Sequence, residues 1–165
     1  MKVKIVLSLC LVFTTSLLFA QTTYPKVVAF AAVVHPIATF TDDKPTYNFK
    51  DYYQIGFPTG VNVWKNAKIG YSLQFIPFIR TEKGVSKMTN FLFHPGVLVA
   101  LGNGYTFAGR LAFESTGRFG FTPVFSKIVV RGKNINFYIG TPLPVRLGND
   151  KAISFSPSVE TGFTF

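Results

Sequence analysis

The stretch that decides the fold is the last one in the sequence, ISFSPSVETGFTF, residues 153–165. Apolar residues hold most of its odd positions, whereas serine, glutamate, glycine and threonine hold its even positions. Successive side chains of a β-strand point to opposite faces, so this alternation predicts a strand with one apolar face. The pattern continues to Phe165, and we therefore expect this strand to be paired through its last residue.

The same alternation recurs along the whole chain from residue 26 onward. NINFYIGTPLPVRL, residues 134–147, shows it as clearly as the last stretch does. The breaks between the runs are short and rich in Asn, Asp and Gly, which favour tight turns. Short turns between consecutive runs indicate antiparallel strands in up-and-down order. The eight predicted strands cover residues 26–40, 48–64, 68–80, 88–101, 105–115, 118–131, 134–147 and 152–165.

Two places depart from this pattern. The run KVVAFAAVVHPIATF, residues 26–40, has apolar residues at both odd and even positions. The sequence therefore does not show which of its two faces points into the barrel. Lys127 occupies an odd position, where the rest of its run has mostly apolar residues, and this predicts a register shift or a β-bulge nearby.

The first twenty residues differ from the rest. Lys2 and Lys4 precede a continuous apolar run that ends at Ala20, which is the layout of a secretory signal peptide cleaved after Ala20. The run is shorter than the roughly 20 residues of a membrane-spanning helix. The only cysteine, Cys10, lies inside it, so we expect a mature chain without disulfides or thiolate metal sites.

Charge argues against a nucleic-acid partner. The formal charge is +10, and it falls to +8 when Lys2 and Lys4 are removed. Nucleic-acid binders concentrate Lys and Arg on one face, whereas here these residues fall singly or at predicted turns. We therefore expect no nucleic acid among the partners.

The size of the residues on the two faces indicates which face meets which environment. The even-position face is mostly small and polar, and the whole chain is only 15% charged. The odd-position face carries large residues such as Phe75, Phe107 and Phe155, which would overfill an eight-stranded barrel. Facing lipid, they stabilise the fold by roughly 25 cal/mol per Å² of apolar surface. This predicts a closed antiparallel up-and-down eight-stranded transmembrane β-barrel, with a filled lumen and no wide pore. The alternative is a soluble periplasmic lipocalin-like barrel that binds a hydrophobic ligand.

With these strands, the chain resembles the small eight-stranded outer-membrane β-barrel proteins of Gram-negative bacteria. Residues 26–165 carry the resemblance in architecture, and TGFTF is similar to the terminal signal read by the barrel-assembly machinery. Val159, Phe163 and Phe165 match that signal, whereas Thr161 departs from it. The resemblance implies a cleaved signal peptide at 1–20 and an outer-membrane barrel domain at 21–165. It also implies periplasmic termini and contact with outer-membrane lipids, with the assembly machinery during insertion and with other outer-membrane proteins.

The few charged residues on the even face are predicted to be structural. An unpaired buried charge is expensive, so these side chains are expected to form hydrogen-bonded ion pairs that fill the lumen. Glu160→Ala should then destabilise the barrel. The predicted polar network comprises Arg110, Glu114, Arg146, Glu160 and His94.

No pattern in the sequence indicates catalysis. Lipid-modifying barrel enzymes need a nucleophile and a base within reach of each other, and neither GxSxG nor HExxH occurs here. His35 and His94 are too far apart in sequence to indicate a metal site, and no cofactor is expected. The sequence favours a structural or interaction role, as a wall-stabilising protein or an accessory subunit, with a lipid-modifying enzyme as a lesser alternative.

Prolines recur inside the runs, although proline cannot donate to a strand ladder. Counted from the predicted periplasmic ends, they lie at similar depth. We hypothesise that they form a girdle that bends or narrows the wall, with nearby glycines permitting bulges. The girdle consists of Pro36, Pro58, Pro77, Pro95, Pro123, Pro142 and Pro157.

Overall fold

The structure is a computed structural model that describes residues 24–42, 44–50 and 52–165. The predicted signal peptide at 1–20, including Cys10, lies outside these residues. None of the described residues belongs to a helix that is long and apolar enough to cross a bilayer.

Eight wall strands form a ring, because each pairs antiparallel with its neighbours in sequence and the last pairs with the first. Three of the eight are interrupted once and therefore consist of two segments each. A small two-stranded hairpin follows the first wall strand. The hairpin is β2 (Ala38–Thr39) with β3 (Thr46–Tyr47). The wall strands are β1 (Lys26–Pro36), β4 (Tyr53–Gly56) with β5 (Thr59–Trp64), β6 (Ile69–Glu82), β7 (Val85–Gly102), β8 (Tyr105–Glu114), β9 (Phe119–Arg131), β10 (Asn136–Pro142) with β11 (Val145–Leu147), and β12 (Ser154–Phe155) with β13 (Ser158–Thr164).

The seam between the first and last strands is fully paired. β1 and β13 are in register from Phe30 opposite Thr164 to Pro36 opposite Ser158. The N–H of Phe165 then donates to the Ala29 carbonyl at 2.9 Å. The predicted closed antiparallel barrel of eight up-and-down strands is therefore confirmed, and its last strand is bonded to the final residue.

The large apolar residues point away from the barrel axis. Phe75 and Phe155 are each 39% exposed and Phe107 is half-buried, and none of the three lines either internal cavity described below. The structure also settles the faces of β1, because Phe30 is buried inside and Val27 is exposed outside.

The inward face is less polar than the sequence suggested. Two apolar clusters lie among the polar lumen residues, because five wall strands place aliphatic side chains at even positions. One cluster contains Val34, Ile76, Leu92 and Ala112, and the other contains Leu98, Ala108 and Val124.

The connections at the two ends of the barrel differ in length. Short turns at residues 65–68, 103–104 and 132–135 share one end with Lys26 and Phe165, and we call it the short-turn end. The other end carries the connections 37–52, 83–84, 115–118 and 148–153, and we call it the long-loop end.

Several predicted strand boundaries at the long-loop end are wrong. The first wall strand ends at Pro36 and not at residue 40, because Ala38–Thr39 pair with Thr46–Tyr47 in the hairpin. Residues 48–50 and Tyr52 are not part of a wall strand, because the Asn48 side chain bonds both the N–H and the carbonyl of Gln54, at 2.7 and 2.8 Å. These bonds close a turn that joins the hairpin β2–β3 to β4. β6 and β7 extend beyond their predicted ends and are joined by a turn of only Lys83 and Gly84.

The irregularity predicted near Lys127 is confirmed. The register between β9 and β10 shifts between Phe137 and Tyr138, where Val129 has no partner across the ladder. Lys127 itself stays outside, with its ammonium 4.6 Å from the centre of the Tyr105 ring.

At the three strand breaks, prolines interrupt hydrogen bonds without shifting the register across the break. The Ala32 N–H donates to the Pro58 carbonyl at 2.8 Å, and the Phe57 N–H donates to the Pro77 carbonyl at 3.1 Å. Neither proline has an N–H to return the bond. The stretch between β4 and β5 therefore loses one ladder bond on each side, which explains the break there.

The breaks at residues 143–144 and 156–157 have the same cause. Pro123, Pro144 and Pro157 each accept an N–H from the neighbouring strand and donate none. The register on either side of each break is unchanged, so no bulge accompanies the three breaks. Of the predicted bulges near prolines, one is present, since the register between β6 and β7 shifts between Phe78 and Ile79, next to Pro77. The other two register shifts lie near Ala100 and Phe137, away from the prolines.

Candidate functional site

The polar residues of the lumen form the candidate site. Their side chains converge because each occupies an even position of its strand, and even positions face inward here. Sequence reasoning identified the charged members and missed the neutral ones that bond them. The neutral members are also polar residues at even positions, so these two criteria together would have identified them. They are Ser72, Gln74, Thr122 and Tyr138.

Arg146 and Glu114 form a buried ion pair. The Arg146 Nε atom donates to Glu114 Oε1 at 2.8 Å, and both side chains are nearly inaccessible to solvent, at 9% and 12% exposure. Arg146 Nη1 donates further to the Thr122 hydroxyl at 3.0 Å and to the Phe121 carbonyl at 3.2 Å. This guanidinium is thus both charge-paired and hydrogen-bonded, which a buried cation requires.

Arg110 is buried in a different way. Its Nε and Nη2 atoms donate to the Ser72 hydroxyl at 3.3 and 3.2 Å. Within the described part of the chain, no carboxylate oxygen lies within 4.0 Å of this guanidinium. The structure therefore does not bring Arg110 into a direct ion pair with Glu160.

Glu160 and His94 each bond a neutral neighbour. The Tyr138 hydroxyl donates to Glu160 Oε1 at 2.7 Å, and His94 Nδ1 lies 2.8 Å from Gln74 Oε1. His94 Nε2 and Gln74 Nε2 are buried and have no hydrogen-bond partner among the described residues. Of the predicted network, only Arg146 and Glu114 are brought into direct contact.

Two glycines leave space for the two arginine side chains to cross a neighbouring strand inside the barrel. Gly96 lies between Ser72 and Arg110 at the same level of the barrel, and a Cβ on it would stand 2.6 Å from Arg110 Cγ. Gly120 lies opposite Arg146, and a Cβ on it would overlap the Val145 carbonyl. Each long side chain lies over a glycine to reach a partner on the next or second strand.

The lumen is not completely filled, contrary to the sequence prediction. A cavity of about 330 Å³ extends inward from the short-turn end, and one of about 100 Å³ lies nearer the long-loop end. The larger cavity remains because the residues around its mouth are small, including Ala100, Gly102 and Gly104. Glu160 and Val124 border both cavities, and the polar network lies between them.

The larger cavity has apolar walls and a polar floor. Phe30, Leu98 and Trp64 are part of the wall, whereas Arg110, Tyr138 and Glu160 form the deep end. The smaller cavity is bordered by His94, Gln74 and the Arg146–Glu114 pair.

The residues of the predicted terminal signal lie together on the outer surface. Val159, Phe163 and Phe165 are 42%, 49% and 54% exposed and point outward from β13 and the residue that follows it. They are separate from the lumen network.

The chain matches no protein-family model and no curated protein sequence. Solved structures with a similar fold include one reported as "De novo design of transmembrane beta-barrels", 8% identical in sequence with a TM-score of 0.47. That similarity covers 87% of this chain and 97% of the other. Another, the solution NMR structure of the de novo designed TMB2.3, is 10% identical with a TM-score of 0.45, over 88% and 96% of the two chains.

Proposed function

We propose that this chain is an integral protein of the cell outer membrane with a structural or interaction role, either stabilising the membrane wall or serving as an accessory subunit of an outer-membrane assembly. The observation that carries the proposal is the outward apolar surface. Exposed aromatic and aliphatic side chains occur on every wall strand. Examples around the ring are Val27, Val61, Leu73, Val97, Leu111, Phe121, Ile139 and Val159.

A band of this kind does not suit a water-soluble monomer. The largest apolar patch on such proteins is usually about 300–600 Å², whereas this band continues around the whole barrel. A closed barrel is also the only sheet that leaves no unpaired edge in hydrocarbon. The lumen supports the same orientation, since a carrier of hydrophobic ligands would not be expected to place Arg110, Arg146 and Glu160 inside.

The proposed partners follow from this placement. Outer-membrane lipids cover the apolar band, and other outer-membrane proteins are potential neighbours. The barrel-assembly machinery is proposed to read Val159, Phe163 and Phe165, which lie together on the outer surface. Phe165→Ala should slow assembly in cells and leave folding into pure lipid vesicles unchanged, because its side chain packs into no core. An equal loss in both assays would contradict this role.

We propose a non-catalytic role. Support comes from the separation of the two histidines, since His35 Nε2 bonds the Tyr53 hydroxyl at 2.9 Å on the outside whereas His94 is buried in the lumen.

The test uses the full chain expressed in a Gram-negative host. We expect it in the outer-membrane fraction after density-gradient separation, with mobility on gels that changes on heating and with Gln21 as the N-terminal residue by mass spectrometry. Recovery in the soluble periplasmic fraction, without a heat-dependent shift, would overturn the proposal.

A further inference from the structure

The larger lumen cavity joins three features that the proposed role does not use. It opens at one end, and it combines a buried cation that contacts no carboxylate of the described residues, a strongly basic mouth and an apolar wall. With a volume of about 330 Å³, it falls within the size range of small-ligand sites, roughly 300–1,000 Å³.

The first feature is the state of Arg110. Arg146, in the other half of the lumen, has Glu114 at 2.8 Å, whereas Arg110 donates only to the neutral Ser72 hydroxyl. A buried cation that no carboxylate contacts directly is costly, and the cavity is where an anion can reach it. Glu160 is the carboxylate on the same floor, and it accepts the Tyr138 hydroxyl at 2.7 Å.

The second feature is the charge at the mouth. Six basic residues lie at the short-turn end, and among the described residues no Asp or Glu accompanies them. The described acidic residues lie either at the long-loop end or inside the lumen. Such a field attracts small anions and raises their local concentration. The six are Lys26, Lys65, Lys68, Lys127, Arg131 and Lys133.

The third feature is the wall between mouth and floor. Leu98, Val124 and Phe30 present apolar surface there, which suits a short hydrocarbon chain rather than a fully polar ion. We propose that this cavity binds a small amphipathic anion, such as a carboxylate with a short aliphatic chain, whose head meets Arg110 and whose chain lies along the apolar wall.

The fluorescence of Trp64 can report binding in the cavity. It is the only tryptophan in the sequence, and it lines this cavity. Bromine quenches tryptophan fluorescence at short range, so the folded full barrel in lipid nanodiscs can be titrated with 6-bromohexanoate and, separately, with neutral 6-bromohexan-1-ol. We expect saturable quenching by the carboxylate, at concentrations about tenfold lower than those the alcohol requires, because a charged hydrogen-bond pair strengthens the first only.

Two lumen variants should move the affinity in opposite directions. Arg110→Gln should weaken carboxylate binding about tenfold and leave alcohol binding unchanged. Glu160→Gln should strengthen carboxylate binding, because it keeps an acceptor for Tyr138 and removes a negative charge from the floor. Lys26→Gln, at the exposed mouth, is expected to weaken binding modestly, whereas Lys87→Gln at the opposite end serves as its matched control.

A double variant separates lumen binding from partition into lipid. Trp64→Phe with Tyr71→Trp places the only tryptophan on the outer surface, where Tyr71 is 54% exposed. Equal quenching in this variant and in the natural chain would overturn the proposal, as would equal affinity for carboxylate and alcohol. If Arg110→Gln does not fold, Glu160→Gln tests the proposal, since this variant should bind the carboxylate more tightly than the natural chain does. The result does not depend on which membrane holds the barrel, so the proposed function is tested separately.

Discussion

At the scale of single residues, the lumen contains two arginines with different surroundings. Both extend across a glycine, but Arg146 ends on a carboxylate and Arg110 ends on a hydroxyl. This difference gives the long-loop half of the lumen a charge-paired arginine and leaves the short-turn half with an arginine that contacts no carboxylate in the described part of the chain.

Glu114→Gln is expected to destabilise the barrel strongly. The substitution leaves Arg146 as a buried cation without its counter-charge, and breaking such a pair costs about 3–5 kcal/mol. The exposed pair Arg80–Glu82, at 3.1 Å, provides the control, since Glu82→Gln should change stability by less than about 1 kcal/mol. Urea unfolding in lipid vesicles, followed by Trp64 fluorescence, measures both. Similar values for the two variants would contradict the assignment of the pair as structural.

Gly120→Ala is expected to disrupt the wall where Arg146 crosses it. The new Cβ overlaps the Val145 backbone, which cannot move without breaking the pairing of β9 with β11. Gly109 is the matched control, because a Cβ there meets nothing nearer than 3.8 Å. Gly109→Ala should be neutral or stabilising by about 0.5–1 kcal/mol. The urea midpoints of the two variants, measured side by side, test this prediction. A Gly120→Ala barrel as stable as the natural one would show that the wall tolerates the added side chain.

At the scale of strands, the prolines divide the wall into stronger and weaker parts. A proline leaves the carbonyl opposite it without a hydrogen-bond donor, and two such carbonyls receive a donor from elsewhere. The Asn48 N–H donates to the Ile37 carbonyl at 3.1 Å, and the Ser158 hydroxyl donates to the Ser156 carbonyl at 2.9 Å. The connection 37–52 thus repairs part of the ladder that Pro157 interrupts.

Hydrogen exchange should reveal this division. Peptides covering residues 140–157, where two breaks lie side by side, are expected to exchange faster than those covering β8, which contains no proline. Local opening requires fewer broken bonds where the ladder is already interrupted. Mass spectrometry of the folded barrel in nanodiscs provides the comparison. Equal protection of the two segments would show that the missing bonds have no effect on local stability.

At the scale of the whole molecule, the outward apolar band leads to a prediction that separates the membrane barrel from a soluble one. Leu111 lies within β8 and is 58% exposed, so Leu111→Arg places a charge on the face proposed to contact lipid. This should cost about 2–4 kcal/mol near the bilayer midplane. Ile135→Arg, in the turn between β9 and β10, should cost roughly 0–1 kcal/mol, as expected near the interface. Folding into phospholipid vesicles measures both, and a neutral effect of Leu111→Arg would argue against insertion.

The sequence by itself determined the number of strands, their order and, outside the first strand, the residues that face the lumen. These follow from a local rule, because side chains alternate with a period of two whatever the strand pairs with. The rule worked well for β8 and β13, whose even positions are buried or half-buried even though Gly109 and Thr161 interrupt the row of apolar odd positions. It failed at residues 48–50, where the Asn48 side chain substitutes for strand pairing, and it did not anticipate the length of the β6–β7 hairpin.

Only the tertiary structure decided which lumen residues meet. Whether Arg110 reaches Glu160 or Ser72 depends on the relative shift of several strands, and small offsets add up around a closed ring. The same holds for the cavity, whose existence depends on the summed volume of side chains from all eight wall strands. Parity places a residue inside the barrel, and the stagger between strands determines its neighbours.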